Sequence, residues 1–295
     1  MSVGTVPVES AAALGAGQAE VRRREFLNDL VRHKAFWVGV VILGFWILAA
    51  IFGSLVVKDP TAQSLLAINQ APSSAHWFGT DQLGRDMFAR VITGSRDILI
   101  IAVLADVLGT VAGTILGLLM GYYRGVVDDV LGRIVEAFLA LPLVIVGILG
   151  TIALGGASTG SLIVIIAIVF TPLIARTVRA AVLIERDLDY VSAAKLRGES
   201  SLYIMFNEIL PNIVPPIVVE FTVRLSYAIF TIVALSFLGF GIQPPSSDWG
   251  LDISNNYGQL SAGYWWEVLF DALAIATLVI GVNMVSTSVE SALEG

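Results

Sequence analysis

At 295 residues, 56% hydrophobic and only 14% charged, with a mean hydropathy of +0.84, the chain carries more apolar surface than a water-soluble domain of this size can hide in one core. A membrane protein built as one integral domain is therefore expected. Zero cysteines exclude a disulfide framework, a thiol nucleophile and a thiolate metal site, and a net charge of −7 without a long basic block excludes a nucleic-acid partner.

Residues 1–25 are rich in Ala, Gly, Ser and Val, end in the basic cluster Arg22, Arg23 and Arg24, and read as a disordered cytoplasmic tail. The run Phe36–Val57 carries no charge and is long enough to span a bilayer, so it reads as a permanent helix and not a cleaved signal. Residues 26–96 thus comprise one helix and a long external loop, with turn signals at Asp59-Pro60 and Ala71-Pro72. From 97 to 292 the pattern predicts five more spans: Ile98–Tyr122, Arg133–Leu154, Ser161–Ala181, Val214–Leu238 and Trp266–Val289. The fold class is all-α integral membrane, with six transmembrane helices. Tyr122 and Tyr123, and Trp265 and Trp266, sit where an aromatic belt would mark the interface.

Lysine and arginine fall unevenly. Twelve of them, from Arg22 through Arg197, fall on the side of the N-terminus, whereas the opposite side has only Lys58, Arg85, Arg90 and Arg96. The positive-inside rule then places both termini in the cytoplasm.

Charges within spans are costly and mark functional candidates. Asp106 lies midway along the second span, beside Gly109, Gly113, Gly117 and Gly121, whose i,i+4 spacing lets helices approach closely. Glu220 and Arg224 in the fifth span share a face and can neutralise one another. A buried structural pair and a polar wall of a translocation path both fit. The pairs Asp128-Asp129 and Asp187 with Asp189 read as solvated charge in internal loops. No phosphate-binding Gly-x-x-x-x-Gly-Lys-Ser/Thr occurs, and His33 and His76 are too far apart for a metal site. No bound cofactor, no metal and no catalytic set are expected, so the chain does not read as an enzyme. A self-contained ion-driven carrier is an alternative, but it would usually need more spans.

The internal stretch 182–212 is too polar to cross a bilayer and reads as two short helices with a bend. Ala193, Ala194 and Leu196 favour a first helix beginning near Ser192, and Gly198 suits its left-handed close. Ser200 and Ser201 can cap a second helix, which Pro211, after Leu210, should break. Outside, Phe78-Gly79-Thr80-Asp81-Gln82-Leu83-Gly84-Arg85-Asp86-Met87-Phe88-Ala89-Arg90 combines glycine turns with Asp81, Arg85, Asp86 and Arg90, which can pair among themselves. It reads either as an internally paired cap or as a docking or gating surface, together with Trp249 and Gly250.

The internal stretch resembles the "EAA" loop of ATP-binding-cassette import permeases: Ala193, Ala194, Gly198, Leu210 and Pro211 match its spacing, while Ser192 stands where glutamate is usual. The external run resembles the "FGTDxxGRDxxSR" signature of the second permease subunit of dipeptide and oligopeptide importers, with Ala89 replacing the usual serine. The run from Leu235 to Gly250 resembles that group's "LSFLGxGxQPP…WG". The resemblance covers about residues 25 to 290 and implies a type I importer permease fold in a prokaryotic plasma membrane. It implies as partners a second permease, two P-loop ATPases that bind ATP and Mg, a peptide-binding protein outside, and a peptide as cargo. Nickel or another small solute is the closest rival. It further implies that the 182–212 loop couples to the ATPases.

Overall fold

The computed structural model describes residues 29–294; the expected tail 1–25 lies outside them. The described residues form helices with one isolated bridge, Thr80 to Asp86. Five helices are long and apolar enough to cross a membrane, and six do if one bent pair counts as a span.

Helix α1 (Lys34–Val56) exposes most of its apolar side chains and touches the rest of the protein through Gly39, Trp46 and Gly53. A Cβ at Gly53 would lie 2.6 Å from Ile92, so the small residue is what lets the helix dock. Helix α2 (Met87–Tyr123) has 37 residues and starts well before the expected Ile98. Asp86 explains the early start: its carboxylate accepts a hydrogen bond from the Ala89 amide at 3.0 Å, satisfying one of the free donors of the first turn. Arg90 and Arg96 consequently lie on a helix and not in a loop. At 1.5 Å per residue, α2 is roughly 55 Å long, more than the bilayer core requires.

The expected third span is broken. Helices α3 (Gly125–Leu139) and α4 (Leu143–Ala153) meet at 96°, with Pro142 at the bend. Proline lacks an amide donor and forces its predecessor, Leu141, out of the helical region, so the apolar run cannot remain one rod. Asp128 and Asp129 sit on α3, not in a loop.

Helix α5 (Thr159–Glu185) opens with a reciprocal cap between Ser158 and Ser161 and lies along α2 for most of its length. The glycine row makes that contact. Added Cβ atoms at Gly113, Gly117 and Gly121 would fall 2.7, 2.7 and 2.6 Å from Ile174, Val178 and Val182. Short helix α6 (Asp189–Leu196) follows, then α7 (Ser201–Phe237). Pro211 does not break α7, contrary to expectation. Instead the winding passes through a π segment, Ile204–Ile209, and a 3₁₀ segment, Leu210–Ile213, before the α-helix resumes at Val214. Changing the hydrogen-bond register accommodates a residue with no donor without stopping the rod. Helix α8 (Trp249–Asn256) and the long α9 (Trp266–Glu294) complete the chain. Trp266 is not a belt residue: it is buried and its indole donates to the Thr80 carbonyl at 3.1 Å, while Trp265 stays half-exposed.

Candidate functional site

Three polar regions lie along the molecule. At the end carrying the turn from α5 to α7, α6 and the start of α7 form an elbow. Gly198 has φ +78°, the left-handed geometry that ends α6, and the Ser200 hydroxyl accepts from the Tyr203 amide at 3.3 Å. The two adjacent alanines separate into two roles here. Ala194 and Val191 are fully buried and anchor α6 to the core, whereas Ser192, Ala193, Leu196 and Gly198 face outward. Leu196 is 90% exposed, and Leu202, Tyr203 and Phe206 extend the apolar patch. Leu210 is half-buried and Pro211 exposed, both in the 3₁₀ segment.

The elbow is rigidly tied. Arg197 donates to Glu199 at 2.7 Å and to Glu208 at 3.1 Å, closing the bend. Tyr190 donates to Glu185 at 2.7 Å and accepts from Asn212 at 3.1 Å. Burial, reinforced by that bond to Glu185, pushes the Tyr190 phenol up to about 12, so it stays neutral and donating. Arg186 donates to the carbonyls of Gly121 and Tyr122, and Arg124 pairs with Asp187 at 2.7 Å. Lys195 lies 5.7 Å over the Tyr122 ring. These contacts fasten the elbow to the end of α2. Asp187 is therefore paired, as is Asp128, which Arg179 grips through two bonds of 2.5 and 2.6 Å.

Midway along the spans, Arg224 donates to Glu220 at 2.6 Å, realising the expected i,i+4 pair on a half-buried face. Asp106 is fully buried, and among the described residues neither of its oxygens meets a donor. The glycine row and Asp106 belong to the same helix, α2, which connects the elbow to the opposite end of the molecule.

At that opposite end the signature residues fold inward. Gly79, Asp81, Gly84, Arg85, Asp86, Trp249 and Gly250 are all buried, so these residues frame a cap. Gly79 (φ +75°) and Gly84 (φ +70°) supply left-handed turns, and a Cβ on Gly84 would strike the Ser64 carbonyl at 2.0 Å. Arg85 donates to Asp81 at 2.6 Å, as expected. Arg90 instead reaches Asp252 on α8, donating twice at 2.8 and 2.5 Å, and also to the Ser246 carbonyl at 2.7 Å. Asp86 pairs with His76 at 2.8 Å. Trp249 is the largest fully buried side chain, and its indole donates to the Val91 carbonyl at 2.9 Å. Sequence reasoning missed Asp252, Glu267 and Asp271, each fully buried; Glu267 and Asp271 stand out as acids in an apolar helix, whereas nothing marks Asp252 on the polar α8.

Comparison with known proteins fits this geometry. Residues 113–294 match the family described as "binding-protein-dependent transport system inner membrane component". Residues 22–72 match the "N-terminal TM domain of oligopeptide transport permease C". The chain is 36% identical to the dipeptide transport system permease protein DppC of Alkalihalophilus pseudofirmus, over 92% of this chain and 89% of that one. It is 37% identical to the Escherichia coli K12 protein of the same name, over 92% of each. A chain from inward-facing structures of the MetNI methionine ABC transporter superposes with a TM-score of 0.58 at 19% identity, covering 70% of this chain and 97% of that one. The shared fold, the two family matches and the extent of the identities lead to one conclusion: this chain belongs to the binding-protein-dependent inner-membrane permeases of ABC importers, in the branch that holds the dipeptide permeases.

Proposed function

We propose that this permease subunit forms half of an ATP-driven import path for di- or oligopeptides, paired with a second permease. In this reading two P-loop ATPases, which bind the ATP and Mg, lie beneath it, and a peptide-binding protein delivers cargo from outside. Both termini and the elbow face the cytoplasm in this reading, which the lysine and arginine distribution supports. The elbow is where the ATPase grips, through the apolar patch around Ala193, Leu196 and Leu202 and through Ser192. The observation that carries this is exposure: an internally braced helical turn at the end away from the cap leaves Leu196, Leu202 and Tyr203 open to water. Ser192, in place of a carboxylate, makes that contact depend on packing more than on charge.

ATP binding would draw the ATPases together and move the elbow. Because Arg186, Arg124 and Lys195 tie the elbow to α2, the displacement passes into a helix running the full depth of the protein. Such coupling biases the two arrangements of the path only by the difference in ATPase contact between them. The names of the similar proteins favour peptide over nickel as cargo.

Ala193→Arg tests the contact. Ala193 is exposed, so the substitution leaves the fold intact, yet it places a bulky charge in the patch. Peptide uptake by the reconstituted importer should fall at least about tenfold, the effect of losing one interface hot spot, with unchanged membrane insertion and melting temperature. Uptake within a factor of two of the parent would refute docking at this surface.

A further inference from the structure

The cap holds more buried negative charge than it neutralises. From the first external segment come Asp81 and Arg85, and from the start of α2 comes Arg90. Helix α8 and its cap residue add Asp252 and Asp248, and the first turns of α9 add Glu267 and Asp271. All five carboxylates have zero exposure, whereas only two guanidiniums lie among them. Arg85 is engaged by Asp81, and Arg90 by Asp252. The neighbouring Asp86 already has His76 and Lys58, and half-buried Asp97 on α2 adds negative charge beside Asp248. Among the described residues, no oxygen of Glu267 or Asp271 meets a donor, and the buried Asn256 amide has no partner either. These side chains come from four separate elements, so their mutual repulsion acts directly on how those elements pack.

Charge of this density in a dry site is relieved by a metal ion or by protons. Among the described residues no three acidic or histidine side chains converge as a metal cage. We infer that the cap is a proton-binding site, in which protons taken from the medium facing this end fasten α8 to the first external segment and to the start of α9. Asp248, outside the membrane spans, points the same way: burial pushes its carboxyl up to about 6 despite the bond from the Leu251 amide. As pH rises, lost protons leave uncompensated carboxylates facing one another and α8 loosens; acidification re-seats it.

The absence of native cysteine allows a direct measurement. Leu66, 94% exposed in the first external segment, and Asn255, exposed on α8, are replaced by cysteine in the full-length chain, spin-labelled and held in nanodiscs. Electron double resonance should give one narrow distance at pH 5.5 and a distribution at least twice as broad at pH 9, reversibly. Asp271→Asn should keep the distance narrow at both values, and Asp248→Asn offers the same test if the first variant fails to insert. An unchanged distribution between pH 5.5 and 9 would overturn the inference. So would broadening that persists undiminished in an inserted Asn variant, or narrowing at pH 9 by sodium or calcium, which would make the ligand a metal. The measurement needs no ATPase and no peptide, so its failure leaves the transport reading untouched.

Discussion

The two ends of this permease use polar residues in opposite ways. In the cap, signature residues are buried and bonded: Arg90 donates twice to Asp252, and the Trp249 indole donates to the Val91 carbonyl. At the elbow, ion pairs such as Arg197 with Glu199 lie near the surface and brace a turn whose apolar residues point outward. The first motif satisfies itself and acts as a frame, whereas the second braces a turn without burying its apolar side chains. Sequence spacing displays both motifs equally well; only burial separates them.

The difference sets an order of expected effects. Arg90→Met should be the most damaging, because it strands the buried Asp252 carboxylate; a loss of about 3–5 kcal/mol follows from breaking one side of a buried pair. Poor recovery and a collapsed melting transition would show it. Arg90→Lys should rescue little, since an ammonium cannot reproduce the twofold grip. A well-folded Arg90→Met protein would erase the contrast between the ends.

Gly121→Val should come next. Its first added carbon would sit 2.6 Å from Val182, forcing α2 from α5 just above the elbow, at a cost of about 1–3 kcal/mol. Gly160→Ala, with open space around it, is the control and should melt like the parent. If Gly121→Val melts normally yet abolishes uptake, the row serves movement more than packing.

Arg197→Ala should matter least to stability. The side chain is 55% exposed, and surface pairs of this kind contribute about 0–1 kcal/mol. Its effect belongs in coupling: a melting temperature within one or two degrees of the parent, with reduced uptake, would sharpen the view that the elbow's braces hold a contact surface in shape. A large melting loss would instead make the elbow a second frame.

Much of this could be read from the residues. Apolar runs too long for a soluble core gave the spans, the i,i+4 glycines gave the α2–α5 contact, and Glu220 with Arg224 paired as their spacing requires. These are local facts, fixed by helix period and by the cost of charge in lipid. Pro142 and Pro211 show where local reading ends. Both remove a donor, but one sits where the chain can fold back at 96° and the other where a change of winding keeps the rod whole. The sequence by itself determined which segments are apolar, which turns need glycine and which family the chain resembles. Tertiary structure alone decided that Arg90 crosses 162 positions to meet Asp252, that Trp266 turns inward, and that five acids are buried at one end of the molecule. The reason is physical: partners distant along the chain are chosen by how whole helices pack, and no periodicity within one helix encodes which buried charge will face it from another.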